Sequence, residues 1–165
     1  MSDMTTTGHM GSRGNIAADL ADRPRITGSG QAMLFTMVGA TGLIIAGFLE
    51  WIRPDGTLGS EIGYRAFWST DFATGVGFFR SAGAVSVAIG LLAVLGLATR
   101  AGWFTRLAGA LGIIGFATFT ITMHRAGMDV PTALGGGLYF MLGGSIVAMF
   151  GGFFATRPRV IVATE

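Results

Sequence analysis

Long apolar runs separated by short polar interruptions set the pattern of the chain. The 18 residues from Ala32 to Leu49 carry no charge, and the run then ends abruptly in Glu50, Trp51, Arg53, Pro54 and Asp55. A helix crossing a bilayer core needs about 20 mostly apolar residues. Four segments meet that requirement: about 32–51, 81–99 between Arg80 and Arg100, 107–123 between Arg106 and His124, and 132–156 before Arg157. Lipid offers no partners to bare backbone groups, so each such segment must be helical. The pattern therefore predicts an all-α fold, an integral membrane four-helix bundle over residues 32–156. A disordered tail at 1–31, with a short helix at 15–22, and a second tail at 157–165 flank it.

One long polar connection remains, at residues 52–80. Within it Tyr64, Trp68, Phe72, Val76 and Phe79 recur about every four residues, with Phe67 beside them. That spacing predicts an amphipathic helix with one aromatic face, lying in the membrane interface where Trp and Tyr prefer to sit. Two uses of that helix stand: packing that completes the fold, or a docking surface formed by Tyr64, Trp68 and Phe72.

Composition sharpens the membrane reading. Hydrophobic residues make up 51% of the chain and charged residues 12%, about half the usual globular share. So few charges cannot cover a soluble surface. All 11 basic residues are arginine, the net charge is only +2, and no basic run suggests nucleic acid. The absence of cysteine excludes disulfides, thiolate nucleophiles and iron–sulfur ligation.

Arginine bias sets the expected orientation. With both termini cytoplasmic, the inside holds Arg13, Arg23, Arg25, Arg100, Arg106, Arg157 and Arg159, against Arg53, Arg65, Arg80 and Arg125 outside. The short, acid-free loop RAGWFTR at 100–106 weighs most. The expected location is a bacterial plasma membrane, crossed four times.

Helices associate in lipid by close backbone approach, which small residues allow. The second span offers Ala82, Ser86 and Gly90, and the third Ala108, Gly112, Gly115 and Thr122. The fourth offers two stripes, Gly136, Gly143 and Gly151 beside Gly137, Gly144, Ala148 and Ala155. Two stripes allow one helix to touch two neighbours. These lie within the bundle or, as a second use, in a homo-oligomer or protein partner.

Candidate chemistry is confined to the ends of the spans. Their cores hold no Asp, Glu, Lys, Arg, His, Asn or Gln, which argues against ion coupling and proton relays. His124 has no histidine partner for haem, and the scattered carboxylates do not make a metal set. No catalytic residue, metal or cofactor is expected. A ring of Glu50, Arg53, Asp71, Arg80, His124, Arg125 and Asp129 gathers at the outer boundary. Glu50, Arg80, His124 and Arg125 are the candidate ligand contacts within it, with Glu50 and Arg80 close enough in the simplest bundle to pair. The commoner use of such charges is a belt that fixes helix depth, with Trp51 as its aromatic member. The hydroxyls of Thr118, Thr120 and Thr122 are expected to bond back to their own helix.

The stretch GLLAVLGLATRAGWFTRLAGALGIIGFATFTITMHRAG, residues 90–127, resembles the middle of DoxX-like proteins. The matching positions are Gly96, Leu97, Thr99, Arg100 and His124. The resemblance implies a small four-helix membrane protein, some of whose relatives are linked to redox complexes or quinone chemistry. The expected function is a non-catalytic accessory or scaffold subunit of a membrane complex. A lipid- or quinone-binding component of an oxidoreductase system is the alternative, and a small oligomeric transporter or channel the second alternative.

Overall fold

The computed structural model describes residues 27–53, 55–99 and 101–155. The expected tail up to residue 26 with its short helix, Arg100, and the C-terminal tail at 157–165 lie outside the described residues. The described fold is mostly helical. In order it comprises α1 (Thr27–Ala46), β1 (Glu50–Ile52), β2 (Thr57–Leu58), α2 (Ala82–Ala98), α3 (Gly102–Arg125), the single turn α4 (Val130–Ala133) and α5 (Gly136–Phe154). Among the described residues, α3 and α5 are long and apolar enough to cross a membrane, while the apolar stretches Gly30–Ala46 of α1 and Ala82–Ala98 of α2 are shorter.

The four main helices run up and down in a closed ring. Each packs against its sequence neighbour, and α5 closes the ring by its most extensive contact, against α1. Small residues set that contact: Gly151 meets Thr36 and Ala32, Gly144 meets Gly39 and Leu43, and Gly137 meets the Ala46 carbonyl. A Cβ on Gly39 would stand 2.5 Å from the Ala148 nitrogen and 2.6 Å from the Gly144 oxygen. Those are backbone atoms that cannot step aside. On its other side α5 sets Gly152 against Gly102 and Arg106, and Ser145 against Gly109 and Gly112, on α3. One small-residue helix thus touches two neighbours, as its composition predicts. The stripes differ in detail, because Gly136 and Gly143 have nothing within 4 Å of a Cβ.

Interior volume is distributed unevenly. The largest fully buried side chains are Trp51, Phe119, Leu43, Ile62, Met123, Leu138 and Met141. They lie toward the end where α1 and α3 finish and α2 and α5 begin. Toward the opposite end the buried residues are small: Ala93, Gly96, Thr105, Ala108, Ala148 and Gly151. Bulky side chains therefore fill one half, and backbone approach closes the other.

A cap covers the bulky end. The β1–β2 hairpin is antiparallel, pairing Glu50 with Leu58 and Ile52 with Thr57. Ile52 also bridges to Leu134, with Gly135 N–H donating to Trp51 O at 2.8 Å and Arg53 N–H to Ala133 O at 2.9 Å. This tie to the α4–α5 connection gives the final predicted span a break at Leu134–Gly135 instead of a continuous helix from 132. The cap is also held to α2, where Gly83 N–H donates to Gly59 O and Ala82 N–H to Ile62 O, both at 2.7 Å.

Three expectations need correction. The first helix starts at Thr27 rather than 32 and ends at Ala46, so Glu50 and Trp51 belong to the cap and not to the helix. A two-stranded hairpin interrupts the all-α pattern. Finally, the aromatic repeat of 64–79 forms no amphipathic α-helix. It holds two 3-10 turns, Tyr64–Phe67 and Phe78–Arg80, with irregular chain between them. Gly75 stands at φ 73°, a left-handed value that breaks helical propagation, and Gly77 is extended.

Candidate functional site

The cap is the part of the fold that gathers exposed polar side chains, and its construction begins at Gly63. Gly63 N–H donates to Ala73 O at 2.8 Å, and Gly63 pairs with Ser81 in an antiparallel bridge. Three separate limbs of the chain are thereby fixed around one glycine: the turn at 64–65, the irregular run at 71–76 and the turn ending at Arg80. Ser81 secures the third limb. Its hydroxyl accepts from Ala84 N–H at 3.1 Å, capping α2, and donates to Phe78 O at 2.6 Å.

Between these limbs opens a hollow of about 390 Å³, lined by Gly63, Tyr64, Arg65, Asp71, Val76 and Arg80. Pockets that hold small ligands commonly run from about 300 to 1,000 Å³. Formal lining charge is two arginines against one aspartate. The Tyr64 hydroxyl adds a donor, and Val76 adds an apolar wall. Tyr64, Arg65, Asp71 and Arg80 are all exposed, so their charges remain hydrated while the backbone beneath them is pinned. The arrangement suits an anion approaching from outside, since two guanidiniums give planar, multiple donors.

The sequence-predicted ring is therefore divided. Arg80 and Asp71 come together in the hollow. Glu50, half-buried at the start of β1, is not among the lining residues, and its carbonyl side is held against Gly135. Arg80 lines the hollow with Tyr64, Arg65 and Asp71, and its expected partner Glu50 does not. His124 and Arg125 are exposed in the last turn of α3. There the carbonyls of Thr122, Met123 and His124 accept from Ala126 and Gly127, and positive charge at a helix C-terminus complements its dipole. Their position serves that helix end. Arg65 is the residue that sequence reasoning missed as a contact. An aromatic helix assigns it to the far face, and only the Gly63–Ser81 bridge brings it to Arg80's side.

The predicted docking aromatics also separate. Tyr64 and Trp68 stand together, centroids 5.5 Å apart, with Trp68 64% exposed. Phe72 instead turns inward onto Phe119 at 5.8 Å. Phe79, beside Arg80, is 94% exposed and lies edge-on to Phe78. Trp51 is no belt aromatic. It is fully buried, and its Nε1–H donates to Ala46 O at 2.7 Å.

Polar groups inside the helices are engaged in structure. Ser86 donates to Leu43 O on α1 at 2.7 Å, and Ser145 to Met141 O at 2.6 Å. Thr118 and Thr120 bond back to their own helix. Thr122 does the same and also reaches Phe67 O at 3.3 Å. Among the described residues, no buried side-chain nitrogen or oxygen lacks a partner, and no three His, Asp or Glu side chains cluster for a metal. No family model, curated protein or solved structure matches the chain, so the functional reading rests on residues and geometry.

Proposed function

We propose that this chain is a four-span integral protein of a bacterial plasma membrane, with both termini cytoplasmic, that acts as a non-catalytic accessory or scaffold subunit. The observation that carries the reading is where the apolar side chains face. The most apolar windows of α3 and α5 are only 33% and 39% buried. Leu34, Val38, Leu91, Ile114, Ile121 and Phe150 all lie exposed on the outside of the ring. Such a surface is suited to lipid and would be an aggregation hazard in water. The spent hydroxyls of Ser86, Ser145 and Thr122 support a structural role for the interior.

In this reading the capped end is extracytoplasmic and the α2–α3 turn cytoplasmic, which agrees with the arginine bias. The Tyr64–Trp68 pair on the cap is the surface offered to a partner subunit, and aromatic anchors are the residues that dominate such contacts. The DoxX-like stretch at 90–127 is compatible with a redox complex as the host.

Gentle detergent extraction from native membranes, followed by mass spectrometry of what co-purifies, tests the proposal. A defined partner set that disappears with Trp68→Ala supports it. A chain that purifies alone and catalyses flux in proteoliposomes overturns it in favour of a transporter.

A further inference from the structure

We infer that the cap hollow binds the headgroup of a monoanionic phospholipid, with the phosphodiester held between Arg65 and Arg80. Three independent features converge there. The lining charge, two arginines and one aspartate, leaves a net of one positive charge, which one phosphodiester balances. Guanidinium groups are well matched to phosphate oxygens. Asp71 and the Tyr64 hydroxyl supply an acceptor and a donor suited to the free hydroxyls of a glycerol-type headgroup. A zwitterionic headgroup would bring its own cation and leave the excess arginine unmatched.

The second feature is preorganisation. Gly63 fixes the limbs bearing Tyr64, Arg65, Asp71 and Arg80 through its bond to Ala73 O and its bridge to Ser81. The backbone of the hollow is thus formed before a ligand arrives, and the ordering that binding still requires is that of the exposed side chains.

The third is the apolar flank. Phe79 is 94% exposed directly beside Arg80. A phenyl ring has no polar edge to keep in water, so at a membrane boundary it gains by burial among acyl chains. A lipid whose headgroup fills the hollow would lay a chain along it. The hollow keeps Arg80 and Asp71 of the ring the sequence suggests, but neither Glu50 nor His124 lines it.

The inference rests on the membrane reading above, and its test separates the two. Full-length protein in a neutral detergent is treated with phenylglyoxal, which modifies accessible arginines, and each site is quantified by mass spectrometry. Phosphatidylglycerol is expected to slow modification of Arg65 and Arg80 about tenfold, as charge-assisted bonds should, and to leave Arg53 and Arg125 unchanged. Native mass spectrometry should then show one retained phosphatidylglycerol per chain, lost in the Arg65→Gln/Arg80→Gln protein and kept in Arg125→Gln. Equal protection by phosphatidylcholine, or retention by the double variant, overturns the assignment. Equal protection by inorganic phosphate identifies a free-anion site and also overturns it. Should the chain be recovered from cells without detergent, the membrane reading fails. The soluble headgroup glycerophosphoglycerol, titrated with the same labelling readout, then decides the hollow: protection upholds the headgroup chemistry and none removes it.

Discussion

The indole of Trp51 stands edge-on to the ring of Phe119, with centroids 5.0 Å apart and planes at 89°. Phe67 and Phe72 close on the same Phe119 ring at 5.9 and 5.8 Å. Through this cluster the hairpin, the 3-10 turn and α3 share one core. Both Trp51 and Phe119 are fully buried, so Trp51→Ala and Phe119→Ala should each destabilise by about 3–5 kcal/mol. Because the rings touch, the double variant should lose less than the sum of the two. Unfolding in mixed micelles measures all three; strict additivity would show that the cap and α3 do not share this core.

Close helix approach gives a paired prediction. Gly39→Ala drives a methyl into Ala148 and Gly144 backbone and should cost about 1–3 kcal/mol, typical of overpacking. Gly143→Ala meets nothing within 4 Å and should be neutral or stabilising by up to about 1 kcal/mol, through helix propensity. Thermal midpoints of the two proteins decide the matter. Equal losses would mean that Gly143 is covered, as it would be in an oligomer.

This pair also shows what was legible beforehand. Small residues on α5 announce that backbones come close, but a stripe does not say which side of the helix a neighbour occupies. That depends on how α5 rotates as Gly135 is tied to Trp51. The helices themselves were readable because each is a local apolar run ended by glycine or arginine. The cap was not readable, because its bonds are non-local: Ile52 to Leu134, Gly63 to Ser81, Gly59 to Leu49. The aromatic spacing misled for a related reason. Phe67 and Phe72 both reach Phe119, yet five positions along a helix are roughly 140° apart, so the observed contacts require helical geometry to stop between them, as it does at Trp68.

Two buried serines should respond differently to loss of their hydroxyls. Ser86 joins α2 to the Leu43 carbonyl of α1, whereas Ser145 bonds within its own helix at Met141. Interhelical bonds of this kind contribute about 0.6 kcal/mol on average and up to about 1.7. Ser86→Ala should fall in that range, and Ser145→Ala should fall below it, because α5 keeps its backbone ladder without the hydroxyl. Equal effects would place the value of these groups in packing volume rather than in the bond between helices.

Topology can be tested with unusual clarity because the chain has no cysteine. Any introduced thiol is therefore the sole target of a maleimide. Asp55, in the exposed hairpin turn, and Ala126, at the exposed end of α3, sit at the capped end. Ala98, exposed at the end of α2, sits at the opposite end. With the cap outside, Asp55→Cys and Ala126→Cys should react with a membrane-impermeant maleimide on intact cells or spheroplasts. Ala98→Cys should react only after permeabilisation. The reverse pattern would invert the protein and place Arg65 and Arg80 against cytoplasmic lipid. The hollow would survive that outcome, but the arginine-bias argument for orientation would not. Reaction of all three without permeabilisation, in cells shown to be sealed, would mean that α2 and α3 do not cross the bilayer. The outward apolar faces would then need a protein cover instead of lipid.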